Sequence, residues 1–425
     1  MNYFKRTAFL LVLTLLAANF SFAQTLAQPR QEKLLNGLRV LIWNEPKAEK
    51  VSLRLRIHSG SAFDPKDKMG VMALLADILF PTEQTKNFFE EDLEGSLEVT
   101  TDYDYIQINA TAKSAEFLTI LETIATVVAN PPITQENFVR VRDARQKAIE
   151  EMQKNPAYVA DRAIAKRLLG DFPYGRSAAG TPESLKLIER ADLLTAKDKF
   201  FTADNATLAI TGNVKPDFAY MAARRLFGAW KKADKLVPAT FRQPDDPDTK
   251  SFFTPTELEK TSELRFAFRG LARNDKDFAA SEVLTRILQN RLQAREGGKV
   301  SVSQPAHLLR GYVVLRVSEW HVETVQAQGN NIPLPGDFFE TVGNLLKTEI
   351  KAEEFSRAQA EIAVERARQN SADVWLDVDT FKLTSASAEL QSVKNLTIGD
   401  VQRVVERWKK EPVATVLLAT QTKQS

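Results

Sequence analysis

Gly70-Val71-Met72-Ala73-Leu74-Leu75-Ala76-Asp77-Ile78-Leu79-Phe80 carries two interleaved patterns, and reading them decides the fold. Val71, Leu74, Leu75, Ile78 and Leu79 recur at i, i+3, i+4, i+7 and i+8, the stripe of an amphipathic helix packed on a core. Ala73, Ala76, Asp77 and Phe80 form a second line at i, i+3, i+4 and i+7, so they share another face. One side packs. The other presents two methyl groups, a carboxylate and a ring.

Outward from this helix the chain repeats itself. Val51-Ser52-Leu53-Arg54-Leu55-Arg56-Ile57 is an alternating strand that precedes the helix across a turn-rich stretch. Ser262-Glu263-Leu264-Arg265-Phe266-Ala267-Phe268 is another, followed by Arg273 to Asp277 and a helix containing Val283, Leu284, Ile287 and Leu288. Between Tyr105 and Ala110, and again between Tyr312 and Val317, a further strand precedes a pair of helices. Each half closes on a short apolar strand, Ala206 to Gly212 and Ala414 to Thr420. The matched elements stand about 210 residues apart and keep one order, the mark of a duplication.

The fold class is therefore α+β, with two homologous half-domains of about 200 residues, each a mostly antiparallel sheet covered by helices. Pro238, Pro244 and Pro247, with Asp245-Asp246, break any regular element between the halves. The expected organisation is a signal peptide over 1–23, a first domain over 24–235, a linker over 236–250 and a second domain over 251–425.

The signal rests on Lys5 and Arg6, the apolar run Ala8 to Ala18, and the small residue ending Ser21-Phe22-Ala23. The run is short for a membrane span, and nothing later approaches spanning length. The expectation is an exported chain, periplasmic or otherwise extracytoplasmic, beginning near Gln24 and without a transmembrane segment once cleaved. It has no cysteine, which excludes a disulfide framework and thiol chemistry. With 44% hydrophobic residues, 26% charged and net charge +2, it shows neither a basic stripe for nucleic acid nor an acidic tail.

Gly70 and Phe80 frame the helix as in the Gly-x-x-His-x-x-Glu-His-x-x-Phe segment of the insulinase, pitrilysin and mitochondrial-processing-peptidase family of zinc endopeptidases, which the first half resembles. Leu97 to Tyr105 resembles the family's strand after that helix. Phe172-Pro173-Tyr174-Gly175-Arg176 with Gly180-Thr181-Pro182-Glu183-Ser184 is similar to its His-Pro-Tyr-Gly…Gly-Thr-Pro-Glu-Ser segment. Asp204 to Leu208 followed by Gly212-Asn213 resembles another of its turns. The resemblance implies two such halves per subunit, two subunits closing into a hollow clam shell.

Carried over residue by residue, the resemblance makes Ala73 the first ligand position, Ala76 the general base and Asp77 the second ligand. Glu151, on a later helix with Ala144 and Ala148 at helical spacing, matches the third ligand. All four are vestigial positions, and no metal is expected. The histidines are His58, His307 and His321, and no pair has ligand spacing. His58 reads as an ordinary, partly buried imidazole. Zinc peptidases need the metal to lower a bound water's pKa to about 7 and a carboxylate to take its proton. Alanine supplies neither.

In the second half, Asn290 to Gly298 resembles the segment carrying a substrate-holding Arg, which makes Arg295 the matching residue; the family's Tyr falls near Ser301. The expected function is a metal-free, non-catalytic subunit that pairs with an active zinc-peptidase subunit of the same family and helps hold peptide. A homodimer is the other pairing, and zinc is expected only in a catalytic partner. The alternatives are an enzyme with an altered site and a peptide-binding scaffold without a peptidase partner.

Overall fold

The computed structural model describes residues 27–250, 253–258, 261–296, 299–319, 323–327, 330–334 and 338–420; the segment read as a signal, 1–23, and His321 lie outside them. The strands are β1 (Arg30–Lys33), β2 (Arg39–Asn44), β3 (Lys50–Ile57), β4 (Ser96–Thr101), β5 (Ile106–Lys113) and β6 (Ala206–Gly212), then β7 (Phe253–Thr256), β8 (Ser262–Arg269), β9 (Val300–Ser303), β10 (Tyr312–Ser318), a small hairpin β11 (Glu323–Ala327) and β12 (Asn330–Leu334), and β13 (Val413–Thr420). The helices used below are α1 (Val71–Asp77), α2 (Phe117–Ala129), α3 (Gln135–Met152), α4 (Pro156–Leu169), α5 (Pro216–Phe227), α6 (Phe278–Glu296), α7 (Ala352–Ala367), α8 (Ser371–Phe381) and α9 (Ile398–Trp408).

The first sheet runs β1-β2-β6-β3-β5-β4 and the second β7-β13-β8-β10-β9. Apart from β1, the two orders match strand for strand, and each sheet has one parallel pair, β2–β6 and β7–β13, among antiparallel ones. That shared topology agrees with two half-domains of α+β class. Strands β1, β2, β7 and β9 and the β11–β12 hairpin escaped the sequence reading; most are only four or five residues long, and β2 and β7 pair in parallel with strands far along the chain, β6 and β13.

Alternation on β3 sends Val51, Leu53, Leu55 and Ile57 to one face, where they join α1 and α2 in the first core. The equivalent face of β8 places Leu264, Phe266 and Phe268 in a second core with α6, α7 and α9. The opposite faces are covered reciprocally. Helix α4 of the first half lies on β8 and β13 through Ile164, Leu168 and Leu169, and α8 of the second half lies on the first sheet through Trp375 and Leu376.

Charge fixes both placements. Asp161 on α4 takes Arg265 Nε at 2.5 Å and Arg316 Nε at 3.0 Å. On α8, Asp373 pairs with Arg54 at 2.9 Å, Asp377 with Arg56 at 2.6 Å, and Asp379 with Arg39. Half-buried His58 sits between the hydroxyls of Thr207 and Thr380, each at 3.0 Å; burial first, then Lys382, Arg56 and Arg39, holds its pKa well below the imidazole range. A third contact between the halves is fully buried: Tyr174 Oη donates to Asp104 at 2.8 Å, and His307 and the Leu308 amide meet the other Asp104 oxygen at 3.1 and 3.2 Å. Among the described residues no helix is long and apolar enough to cross a membrane.

Candidate functional site

Helix α1 starts where Asp64 holds it. That carboxylate accepts from the Gly70 amide at 2.7 Å and the Met72 amide at 2.8 Å. Gly70 has φ +101°, which favours glycine, and a Cβ there would crowd Leu185, Ala179 O and Gly180 Cα at 3.0–3.1 Å. Burial pushes the Asp64 carboxyl up to about 7, against the two amide donors and Arg176. The helix ends at Asp77, three residues short of Phe80. Leu79 N tightens onto Ala76 O at 3.2 Å, and Pro81 disfavours a further turn.

Ala73 and Ala76 are buried, at 1% and 2% exposure. Ala76, Asp77 and Phe80 line a cleft of about 500 Å³, faced by Leu97 and Val99 of β4 and by Ala144, Arg145 and Ala148 of α3. Arg145 grips Asp77 with two bonds, Nε to Oδ2 at 2.8 Å and Nη2 to Oδ1 at 2.6 Å. Such bidentate pairs are among the stronger charged contacts. Burial raises the Asp77 pKa, and Arg145 and more weakly Lys86 pull it back. β4 is the edge strand of its sheet and runs along this cleft.

Glu151 stands two turns from Ala144 but is exposed, bonded to Lys154 Nζ at 2.6 Å, and does not line the cleft. Arg295 is exposed in the last turn of α6 and does not line it either. Ser301 lies on edge strand β9 between buried Val300 and Val302. The sequence reading passed over Arg145. The available signal was electrostatic: a half-buried carboxylate at position 77, with no imidazole beside it, needs a cation.

This donor set does not fit zinc. A catalytic zinc takes three nitrogen, oxygen or sulfur ligands and keeps one position open. Here positions 73 and 76 are alkyl, and the carboxylate of Asp77 already carries a guanidinium. Among the described residues no three of His, Cys, Asp and Glu converge as a metal site.

Comparison with known proteins bears on the fold and the family. The family model for insulinase (peptidase family M16) matches residues 39–182, and that for the peptidase M16 inactive domain matches 188–303. A Rickettsia felis protein described as an uncharacterized zinc protease is 26% identical over 216 residues, 49% of this chain and 52% of that protein. The chain spans about half the length of the curated relatives it matches. The crystal structure of a peptidase M16 inactive domain from Pseudomonas fluorescens superposes with TM-score 0.78 at 20% identity, covering 94% of this chain and 99% of the other. The periplasmic protease PqqL from Escherichia coli superposes with TM-score 0.69 at 14% identity, over 92% of this chain and 47% of that one. At these identities the structural likeness is one of fold.

Proposed function

This chain belongs to the insulinase family, peptidase family M16, and from that premise we propose that it is an exported, metal-free, non-catalytic subunit that pairs with an active zinc peptidase of the same family. In this role it completes the chamber that holds peptide, while zinc resides in the partner. The observation that carries the reading is the fate of the α1 face: two methyl groups and an Asp77 carboxylate already committed to Arg145. These side chains supply neither a ligand set for the ion nor a free base for a water.

Peptide holding has its own support. An edge strand offers a row of unpaired amides and carbonyls, and an extended chain can add to it, with pockets beside it choosing side chains. β4 offers such an edge along the cleft, and Leu97, Val99 and Phe80 supply apolar walls. Arg295 is the proposed contact from the second half. The proposed organisation remains a signal over 1–23, domains over 24–235 and 251–425, and a linker between.

The test is a fluorescent unstructured peptide of about ten residues, followed by anisotropy and then by mass spectrometry. Saturable binding with the peptide intact after prolonged incubation is expected. Cleavage that a chelator abolishes, in a preparation free of other peptidases, would overturn the non-catalytic reading. Absence of binding would remove peptide holding from the role of this chain.

A further inference from the structure

Helix α5 has an outward face unlike an ordinary solvated one. Ala219, Ala222, Ala223 and Phe227 turn to the core, while Phe218 and Met221 stand 44% and 53% exposed. Arg224 and Arg225 continue the outward face, and both are exposed. The turn between β1 and β2 brings fully exposed Leu35 to the C-terminal end of the helix, because Asn36 Nδ2 donates to Phe227 O at 2.7 Å and Trp230 O at 3.0 Å. Exposed Lys231, Lys232, Lys235, Leu236 and Val237 follow.

The charges here are unbalanced. Among the described residues Arg224, Arg225, Lys231, Lys232 and Lys235 make no ion pair, whereas arginines elsewhere, such as Arg286, Arg291, Arg403 and Arg407, are tied to carboxylates. The acidic groups nearby are few. Arg30 bonds both Asp217 and Glu32, at 2.5 and 2.8 Å, and beside the lysines stand Asp234 and Asp204, which accepts from the Ala233 amide at 3.0 Å. Exposed aromatic and aliphatic side chains set among unpaired cations are the composition of a membrane-interface surface: apolar groups enter the acyl boundary and cations meet phosphate.

Arg30 of β1 bonds to Asp217 of α5 and lies 5.8 Å from the Tyr220 ring centroid, so the N-terminal segment joins the fold beside this helix. We propose that this face is a membrane-docking surface whose partner is an anionic phospholipid bilayer.

The test uses the chain from Gln24, which retains every described element, floated with vesicles. Binding to phosphatidylglycerol-containing vesicles at low salt is expected, with release at high salt and little binding to phosphatidylcholine alone. Arg224→Glu with Arg225→Glu should weaken binding at least tenfold; Phe218→Ser with Met221→Ser should weaken it severalfold, with the circular dichroism of both variants unchanged. All four side chains are exposed and make no ion pair; Phe218 touches the Phe117 ring at 5.9 Å and Arg224 the Tyr220 ring at 5.8 Å, which is why folding is checked by circular dichroism. Equal binding by wild type and variants, equal binding to neutral vesicles, or no vesicle binding at all would overturn the proposal. So would capture of an acidic protein by this face in the absence of vesicle binding.

Discussion

Replacing Asp104 with Ala is expected to destabilise the chain by about 3–5 kcal/mol, the range for breaking a buried charged contact by removing one partner. The carboxylate is 4% exposed and accepts from Tyr174 Oη, His307 and the Leu308 amide. Removal strands these buried donors and leaves a gap beneath the Tyr174–His307 stack, whose centroids are 4.2 Å apart. Because Tyr174 belongs to the first half and His307 to the second, cleavage in the linker by an added protease should also accelerate. Urea unfolding reads the stability. The control is Glu136→Ala, which removes an exposed pair with Arg140 and should cost under about 0.5 kcal/mol. If Asp104→Ala costs no more than that control, the buried contact does not join the halves.

The second large effect concerns the cleft. Giving the α1 face back its chemistry, Ala73→His, Ala76→Glu and Asp77→His together, supplies two imidazoles and a carboxylate to an otherwise alkyl surface. With Arg145 in place, zinc should bind poorly. Unit charges 4 Å apart at an effective dielectric of about 20 interact by about 4 kcal/mol, so a guanidinium beside a divalent ion opposes it strongly. Adding Arg145→Ala should improve zinc affinity more than about 100-fold, on the same Coulombic reasoning. Glu151→Gln should then weaken it, since the Glu151 carboxylate must swing from Lys154 to serve as third ligand. Ala73 and Ala76 are tightly buried, and overpacking there costs about 1–3 kcal/mol, so folding is checked first. Zinc titration decides. Tight binding with Arg145 intact would show that the guanidinium does not occupy the cation's place.

The sequence revealed much of the fold because its signals are local. The stripe from Val71 to Leu79 named a helix, and alternation in Val51 to Ile57 and Ser262 to Phe268 named the central strands. Spacing near 210 residues then paired the halves, and the matching sheet orders follow that pairing. Contacts across long separations stayed hidden. Asp77 and Arg145 are 68 residues apart, and nothing local distinguishes Arg145 from its neighbours Arg140 and Arg142. Asp373, Asp377 and Asp379 lock α8 onto strands more than 300 residues earlier, and no local pattern in the sequence marks those pairings. Glu151 shows the converse: helical spacing aligns it with Ala144 and Ala148, but near the helix end its side chain turns to Lys154.

The most direct test of a metal-free subunit is reconstitution with a zinc-bearing family member from the same source. The chain is captured with its cross-linked partner, the pair is resolved, and peptide cleavage is measured for each component and for the mixture. The chain alone should cleave nothing, the recombined pair should cleave in a chelator-sensitive way, and omitting the chain should abolish or sharply reduce that activity. Chelator-sensitive cleavage by the isolated chain, or a zinc-bearing member fully active without it, would contradict the role assigned here.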